Sequence, residues 1–419
     1  MNYINYPELK DGYFDAVLSC GTRLRVICRK GFSKTYAFYA LDYGSIDTAF
    51  TLDGKTYRTP DGVAHYLEHK MFDMPYGDAM NRFAQLGGNP NAFTSHTMTA
   101  YYVECTENLE QNLQTLLEFV NTPYFTEASV DKERGIIGQE IRMYRDSADS
   151  RVYDNLFAAM YHTHPVSVPI AGTEQSIEEI TPEILQLCHR GFYAPSNAML
   201  CVMGDVDAEK IRELAEKFLP SVTVSRACAD YGQEPAFCKE KRVEDVMEVA
   251  MPTFVAGFKD VPAAPGIQSL RQEFTGDLAA DLLLSASAPL YTELYESGLI
   301  ESAFSAGYEG LKGVSLFAAG GDSRDPDAVI ERILREAESA AIGEELFRRV
   351  KKAALGRKLR DLDSFESTCF RSCAYFFEGA EFFDAVKALQ SVTLEDVQAY
   401  VRKVIRPENM CVSVIRPNA

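Results

Sequence analysis

The first part of the chain alternates between strand-like and helix-like patterns of apolar residues. Residues 24–28, 36–42 and 99–105 alternate apolar and polar positions with a period of two, as half-buried strands do. Residues 108–120 instead repeat apolar positions at helical spacing, which predicts an amphipathic helix. We therefore expect a mostly antiparallel sheet with helices packed on one face.

The chain also repeats itself at long range. Residues 181–197 align without gaps to residues 393–409, at an offset of 212 positions, and Thr, Glu, Gln, Arg, Pro and Asn coincide. Each copy predicts a helix capped by its Thr, then a Pro-containing turn and an apolar strand. A second pair of helical segments, residues 127–147 and 344–364, matches at an offset of 217.

This duplication predicts an α+β protein of two homologous units. We place the first domain at residues 1–225 and the second at residues 240–419, because the periodic pattern is interrupted between them. Chance similarity between amphipathic helices is the alternative explanation, and the gapless match favours duplication.

One segment carries candidate chemistry. Thr59 is a good N-cap and Pro60 suits a first helical position, so we expect a helix to begin there. Within it, His65, Glu68 and His69 stand at positions i, i+3 and i+4 and share one helical face. That face could hold a single metal ion.

Imidazole nitrogens at this spacing suit zinc, and a carboxylate between them can accept a proton from a bound water instead of ligating the metal. The arrangement is H-x-x-E-H, the inverse of the common HExxH motif. The alternative is two surface histidines on an ordinary helix. The motif favours a catalytic metal site whose third ligand must come from elsewhere.

A later helix offers the third ligand. Glu133 and Glu140 are seven residues apart and share one face, so one could ligate the metal while the other orients a ligand imidazole. Solvated surface acids are the alternative. The offset of 217 carries this pair to Val350 and Arg357, so the second unit is expected to lack metal residues.

The composition limits the classes of molecule that the protein can bind. The chain has 419 residues, 46% of them apolar, and a formal net charge of −19, which argues against nucleic acid and anionic membrane surfaces. The ten Cys are scattered without a CxxC pair, as reduced core thiols are. Because the N-terminus lacks a signal-peptide pattern and no apolar stretch reaches about 18 residues, we expect a cytoplasmic protein.

These motifs together resemble one family. The chain is similar to the pitrilysin and insulysin inverzincin metallopeptidases, including their mitochondrial processing peptidase branch, and looks like a bacterial-type member that bears the zinc motif. The resemblance covers nearly the whole chain. Its features appear in order: residues 65–69, residues 86–94, residues 99–101, Glu133 with Glu140, His164-Pro165, residues 171–173 and residues 193–197.

The resemblance implies a clamshell of two units and a zinc-dependent endopeptidase that binds extended peptides as an added β-strand. It implies three zinc ligands, which are His65, His69 and Glu140. It further implies that Glu68 is the general base and that Glu133 supports the site. The substrate groove is implied at three residues, which are Asn91, Ala92 and Phe93.

One departure from the family pattern bears on activity. Active members contribute an Arg and, seven residues later, a Tyr from the second unit, and here Tyr295 and Ser302 stand at those positions. The chain could therefore be the metal-bearing half of a heterodimer with a paralogous subunit, or it could associate with itself. The alternative function is a non-catalytic zinc- and peptide-binding or assembly subunit. A zinc hydrolase acting on non-peptide substrates is a weaker reading that rests on the metal motif alone.

Overall fold

The computed structural model describes residues 1–220 and 225–418. Residues 221–224, at the end of the first predicted domain, and residue 419 lie outside the described residues. The strands are β1 Asn2–Tyr6, β2 Asp11–Val17, β3 Arg23–Cys28, β4 Thr35–Leu41, β5 Ala49–Leu52, β6 Lys55–Arg58, β7 Asp73–Met74, β8 Gly77–Asp78, β9 Asn89–Thr94, β10 Thr99–Cys105, β11 Ala198–Gly204, β12 Cys228–Ala229, β13 Arg242–Met247, β14 Thr253–Lys259, β15 Ser305–Leu311, β16 Val314–Asp322 and β17 Met410–Pro417.

The α-helices follow the same chain order. They are α1 Val63–Met71, α2 Ala79–Gln85, α3 Leu109–Val120, α4 Glu127–Arg145, α5 Ala148–Met160, α6 Glu174–Glu178, α7 Pro182–Phe192, α8 Ala208–Phe218, α9 Ile267–Leu284, α10 Pro289–Glu296, α11 Pro326–Ser339, α12 Glu344–Asp361, α13 Phe365–Phe377, α14 Ala385–Ser391 and α15 Leu394–Val404.

Two sheets share one core topology. The larger sheet has the strand order β1-β2-β3-β11-β4-β10-β9, and the second has the order β13-β17-β14-β16-β15. In the first, β11 runs parallel to β3 and antiparallel to β4. In the second, β17 runs parallel to β13 and antiparallel to β14. The last five strands of the larger sheet therefore correspond one by one to the second sheet, which confirms the two homologous, mostly antiparallel α+β units.

The gapless sequence repeat coincides with a repeated structural element. Thr181 and Thr393 each accept a backbone N–H with the side chain and so cap α7 and α15. Each helix is followed by a short 3-10 turn, at Pro195–Asn197 and at Pro407–Asn409, and then by the strand that enters the middle of a sheet.

Helices cover both faces of each sheet. In β4, Tyr39 and Leu41 belong to the core beneath the helices of the first unit, whereas the ring of Phe38 lies on the other face, where α13 packs. In the second sheet, a Cβ at Gly257 would touch α5, while Tyr308 on the opposite face contacts α9 at Gly276. The sequence pattern predicted helices on one face of each sheet and gave no signal for the helix on the other face.

The helix on the second face comes from the other half of the chain in both cases. One compact unit consists of Met1–Ile141, Pro169–Tyr231 and Leu362–Phe377, and the other consists of Arg142–Val168, Gly232–Asp361 and Glu378–Ala419. Thus α5 belongs to the second unit and α13 to the first, and the two helices begin 217 positions apart. The division at residues 1–225 and 240–419 stays a prediction about the duplicated segments.

Within the described residues, no helix combines the length and the apolar character that crossing a membrane requires.

Candidate metal centre

The helix that carries the motif begins later than its sequence signal indicates. We expected a start at Thr59 and Pro60, but α1 starts at Val63 and Gly62 is its N-cap residue. Thr59 is buried, and its hydroxyl donates to the carbonyl of Thr48 instead of capping the helix. A tertiary contact thus competes successfully with the local capping signal.

Gly62 fixes the entry into α1. Its φ of 89° lies in the left-handed region, and a Cβ there would stand 2.4 Å from the carbonyl oxygen of Ala171. Gly172, with φ 74°, approaches the backbone of Asp61 just as closely. The two loops can pack backbone against backbone only because both positions lack a side chain, and this contact anchors the first turn of α1.

The histidines of the motif lie side by side on α1. The ring centroids of His65 and His69 are 4.6 Å apart, with planes inclined by 62°. His65 is buried and His69 partly buried. Two imidazoles one helical turn apart therefore face the same small volume.

Glu140, on α4, faces both rings. Its carboxylate oxygens lie 3.6 Å from Nε2 of His65 and 3.5 Å from Nε2 of His69. One ligand atom from each of the three residues lies within 4.8 Å of the others, the one such cluster of at least three His, Cys, Asp or Glu among the described residues. Two imidazole nitrogens and one carboxylate are a donor set that suits a catalytic zinc with an open fourth position.

Glu133 has a different contact from Glu140. Its Oε1 lies 3.0 Å from Nδ1 of His69, the ring nitrogen that does not face Glu140. A proton on Nδ1 donated to Glu133 leaves Nε2 free to offer its lone pair to a metal. Burial alone would lower the pKa of His69, but the hydrogen bond to Glu133 and the nearby carboxylates raise it above its ordinary value.

Glu68 is held between the helix and strand β9. It is buried, and its Oε2 accepts a hydrogen bond of 3.0 Å from the hydroxyl of Thr94. Burial raises the pKa of Glu68, while His65, His69 and the Thr94 hydroxyl oppose that increase. The carboxylate has one oxygen fixed by Thr94 and belongs to the same helical face as the imidazoles.

The predicted groove residues lie on β9, which is the edge strand of the larger sheet. Asn91 is exposed, and Ala92 and Phe93 are half-buried. Ala92 pairs with Tyr101 and Phe93 with Ala100 on β10, so their side chains point to opposite faces. The ring of Phe93 lies 5.7 Å from that of Phe370 on α13, a neighbour that spacing along the sequence could not reveal.

The second unit has an ion pair where the repeat places the counterpart of Glu140. The offset of 217 matches Glu140 to Arg357 on α12, and the guanidinium of Arg357 bonds to the carboxylate of Asp281 on α9. A cation therefore stands in the second unit where the first unit has the candidate ligand. That the second unit lacks metal residues stays a prediction.

A short helix with His-x-x-Glu-His facing a glutamate of a second helix, in one of two related α+β units, is the arrangement of a zinc metallopeptidase. Residues 53–174 match the family described as Insulinase (Peptidase family M16), and residues 179–354 match its Peptidase M16 inactive domain. The chain belongs to peptidase family M16, which confirms the resemblance found in the sequence.

Three relatives show how far the similarity extends. The chain is 38% identical to a Bacillus subtilis (strain 168) protein named as zinc protease YmfH, over 99% of both chains. The crystal structure of an M16-like peptidase from Alicyclobacillus acidocaldarius is similar with a TM-score of 0.93 and 34% identity, over 99% of this chain and all of that one. A Schizosaccharomyces pombe protein named as mitochondrial-processing peptidase subunit beta is 28% identical over 42% of this chain and 41% of its own.

Proposed function

We propose that the protein is a zinc-dependent endopeptidase that cleaves extended peptides. The observation that carries the proposal is the convergence of His65, His69 and Glu140 on one point, beside the buried carboxylate of Glu68. Zinc bound there would supply a Lewis acid for a water molecule and for the peptide carbonyl. The names of the relatives, zinc protease above all, support the choice of metal.

The chain's own residues then have separate tasks. Glu68 accepts a proton from the attacking water and returns one to the leaving amine, while Thr94 keeps one of its oxygens in place. Glu133 fixes the ring of His69 through Nδ1. A peptide strand is bound by the free edge of β9, where Asn91, Ala92 and Phe93 provide backbone groups and side chains.

The test measures metal and cleavage separately. Wild type dialysed against a weak chelator is expected to retain about one zinc per chain, and Glu140→Gln is expected to lose it. Glu68→Gln should keep the zinc and lose peptide hydrolysis by several orders of magnitude, because the general base is gone. Glu127→Gln, which changes an exposed residue on α4, the helix that carries Glu140, serves as the control. Wild type that binds no added zinc would contradict the proposal.

A second candidate function is a non-catalytic or partner-dependent subunit. It rests on Tyr295 and Ser302, which stand where active relatives are expected to have Arg and Tyr. Tyr295 is half exposed on α10 and stacks on Tyr291, with ring centroids 6.1 Å apart. Losing an electrophilic contact typically costs about two to three orders of magnitude in turnover.

This second candidate predicts that a paralogue without the zinc motif raises peptide cleavage when mixed with the chain. The mitochondrial-processing peptidase relative is named as a subunit, and this name supports the idea. Equal cleavage with and without the paralogue would contradict the heterodimer, and zinc binding without any cleavage would favour the non-catalytic role. Self-association and the cytoplasmic location stay predictions.

A further inference from the structure

Helix α1 contains a lysine that is fully buried. The side chain of Lys70, the residue after His69, is 0% exposed. Lysines are almost never buried completely unless the ammonium group is paired, because the charge must leave water. The Lys70 nitrogen donates to the carboxylate of Asp73 and, at 3.2 Å, to the carbonyl oxygen of Ser129 in the first turn of α4. One of these two contacts must explain its burial.

The ion pair with Asp73 is not a sufficient reason. The side chain of Asp73 is 47% exposed, so water can solvate its carboxylate without a partner. An ion pair with so exposed an acid adds little stability and does not require a buried lysine. The contact with the carbonyl of Ser129 is different, because it connects α1 to the helix that carries the third candidate ligand.

A second donor on α1 contacts the same turn of α4. The hydroxyl of Tyr66, which is buried, donates to the carbonyl oxygen of Val130 at 2.5 Å. Two neighbouring carbonyls, those of Ser129 and Val130, thus accept hydrogen bonds from side chains four residues apart on α1. One turn further along α4 is the glutamate that bonds to Nδ1 of His69. These contacts together define how far along α1 the helix α4 lies and how it is rotated.

The position of α4 matters at the scale of a single residue. Each residue advances a helix by about 1.5 Å and turns it by about 100°. The carboxylate oxygens of Glu140 lie 3.6 Å and 3.5 Å from Nε2 of His65 and of His69. Ligand distances in metal sites tolerate deviations of only about 0.2 Å. A slip of α4 by one residue would therefore remove Glu140 as a ligand.

We propose that Lys70 is a positioning residue of the candidate metal centre, and that Tyr66 assists it. The inference rests on the proposed function, in that His65, His69 and Glu140 must bind a metal. The lysine then serves geometry and not stability. Replacing a buried ion pair by apolar side chains of similar volume often leaves a protein equally stable or more stable, so its ammonium is not needed for folding.

The experiment compares metal binding with stability in the full chain. Lys70→Met keeps the volume of the side chain and removes the ammonium group. We expect this variant to bind zinc about ten times more weakly, by competition with a chromophoric chelator. The melting temperature of the metal-free protein should stay near that of wild type. Tyr66→Phe, which removes only one oxygen, should lower zinc affinity about threefold.

Cobalt(II) bound in place of zinc gives a spectroscopic signature that a merely structural role would not change. Four-coordinate cobalt absorbs visible light more strongly than six-coordinate cobalt, so its absorption reports the ligand geometry. We expect Lys70→Met and Tyr66→Phe to weaken this absorption, the first more than the second.

Two control variants separate positioning from stability. Asp73→Asn removes the ion pair and keeps the contact of Lys70 with Ser129, so zinc affinity and the cobalt spectrum should not change. Ile211→Val shortens a buried side chain of α8, a helix that packs on α3 and β3. It should lower the melting temperature and leave zinc affinity unchanged.

Unchanged zinc affinity and an unchanged cobalt spectrum in Lys70→Met would overturn the inference. So would a loss of affinity that follows the loss of melting temperature across Lys70→Met and Ile211→Val. If Lys70→Met does not fold, Tyr66→Phe decides by the same two measurements. Wild type that binds no zinc contradicts the proposed function and this inference together. Wild type that binds zinc but cleaves no peptide contradicts the enzymatic proposal alone.

Discussion

At the scale of single residues, the two glutamates of α4 differ in the imidazole nitrogen that each one meets. Seven residues along a helix rise about 10 Å, so side chains on one face reach different sides of a neighbouring ring. Glu140 faces Nε2 of both histidines, and Glu133 bonds to Nδ1 of His69. Their spacing placed both acids near the motif but left open which one would ligate.

We expect Glu133→Ala to lower zinc affinity about ten- to hundredfold without abolishing binding, because His69 loses the partner that orients its ring. Glu133→Gln should lose less, since its amide oxygen can still accept the proton of Nδ1. Competition with a chromophoric chelator measures both affinities. An unchanged affinity in the alanine variant would show that the hydrogen bond to His69 does not support the metal.

At the scale of elements, the start of α1 depends on two loops that meet without side chains. Gly62 and Gly54 both have positive φ, but a Cβ at Gly54 meets no atom within 4 Å, whereas one at Gly62 meets the carbonyl of Ala171. Comparing alanine at these two positions therefore separates backbone conformation from close packing.

Gly54→Ala is expected to cost about 1–2 kcal/mol, the usual penalty of a left-handed conformation. Gly62→Ala should cost clearly more, because the backbone of residues 171–172 must also move, and it should reduce zinc retention by shifting α1. Calorimetry of both variants gives the comparison. Similar melting temperatures for the two would mean that the loops separate easily.

A second feature at the scale of elements is the loop after α5, whose backbone is hydrogen-bonded to a single carboxylate. Glu234 accepts hydrogen bonds from the backbone N–H groups of His162, Thr163 and His164 and from the ammonium of Lys259. Burial alone would raise the pKa of Glu234, but these hydrogen bonds lower it to about 2. The ionised carboxylate therefore stabilises the fold of the second unit.

Because the folded pKa of Glu234 lies below the unfolded value of about 4.3, its stabilisation is present above that value and is lost as the pH falls toward 2. Glu234→Gln should be less stable at neutral pH and should lose less further stability between pH 4.5 and 2. Urea unfolding across this range checks the slope, with the exposed Glu248→Gln as control. Parallel pH profiles for wild type and Glu234→Gln would contradict the assignment.

The elements show what local sequence can predict. Strands β3, β4 and β10 lie within a residue or so of the predicted segments, because alternation reports burial directly. The position of α13 could not be predicted, since an apolar helical face shows that a helix is buried but not which sheet it covers. The motif was found in the sequence, and the resemblance implied Glu140 as the third ligand, whereas the contact of Phe93 with Phe370 of α13 was not foreseen.

At the scale of the whole molecule, each compact unit requires a helix from the other half of the chain. Helix α13 covers the face of the larger sheet that carries Phe38, and α5 packs on β13, β14 and β17 of the second sheet. Neither compact unit is therefore formed by one continuous stretch of the chain.

A fragment of residues 1–231 is therefore expected to aggregate when expressed alone, because one face of its sheet is uncovered. Co-expression with residues 232–419 should restore a soluble complex, and fusing residues 362–377 to the short fragment through a flexible linker should restore part of its solubility. Size-exclusion chromatography measures all three. A lone fragment that is monomeric and melts cooperatively would contradict the requirement for α13.

The exchanged helix also has an evolutionary consequence. The zinc motif is encoded near the beginning of the gene, while α13, whose Phe370 packs on Phe93 of β9, is encoded some three hundred codons later, in the second copy of the duplicated segment. After the ancestral duplication, changes in the second copy could therefore alter the surroundings of strand β9 in the first unit. Recombination between paralogous genes at the join would exchange α13 and leave the helix with the zinc motif untouched.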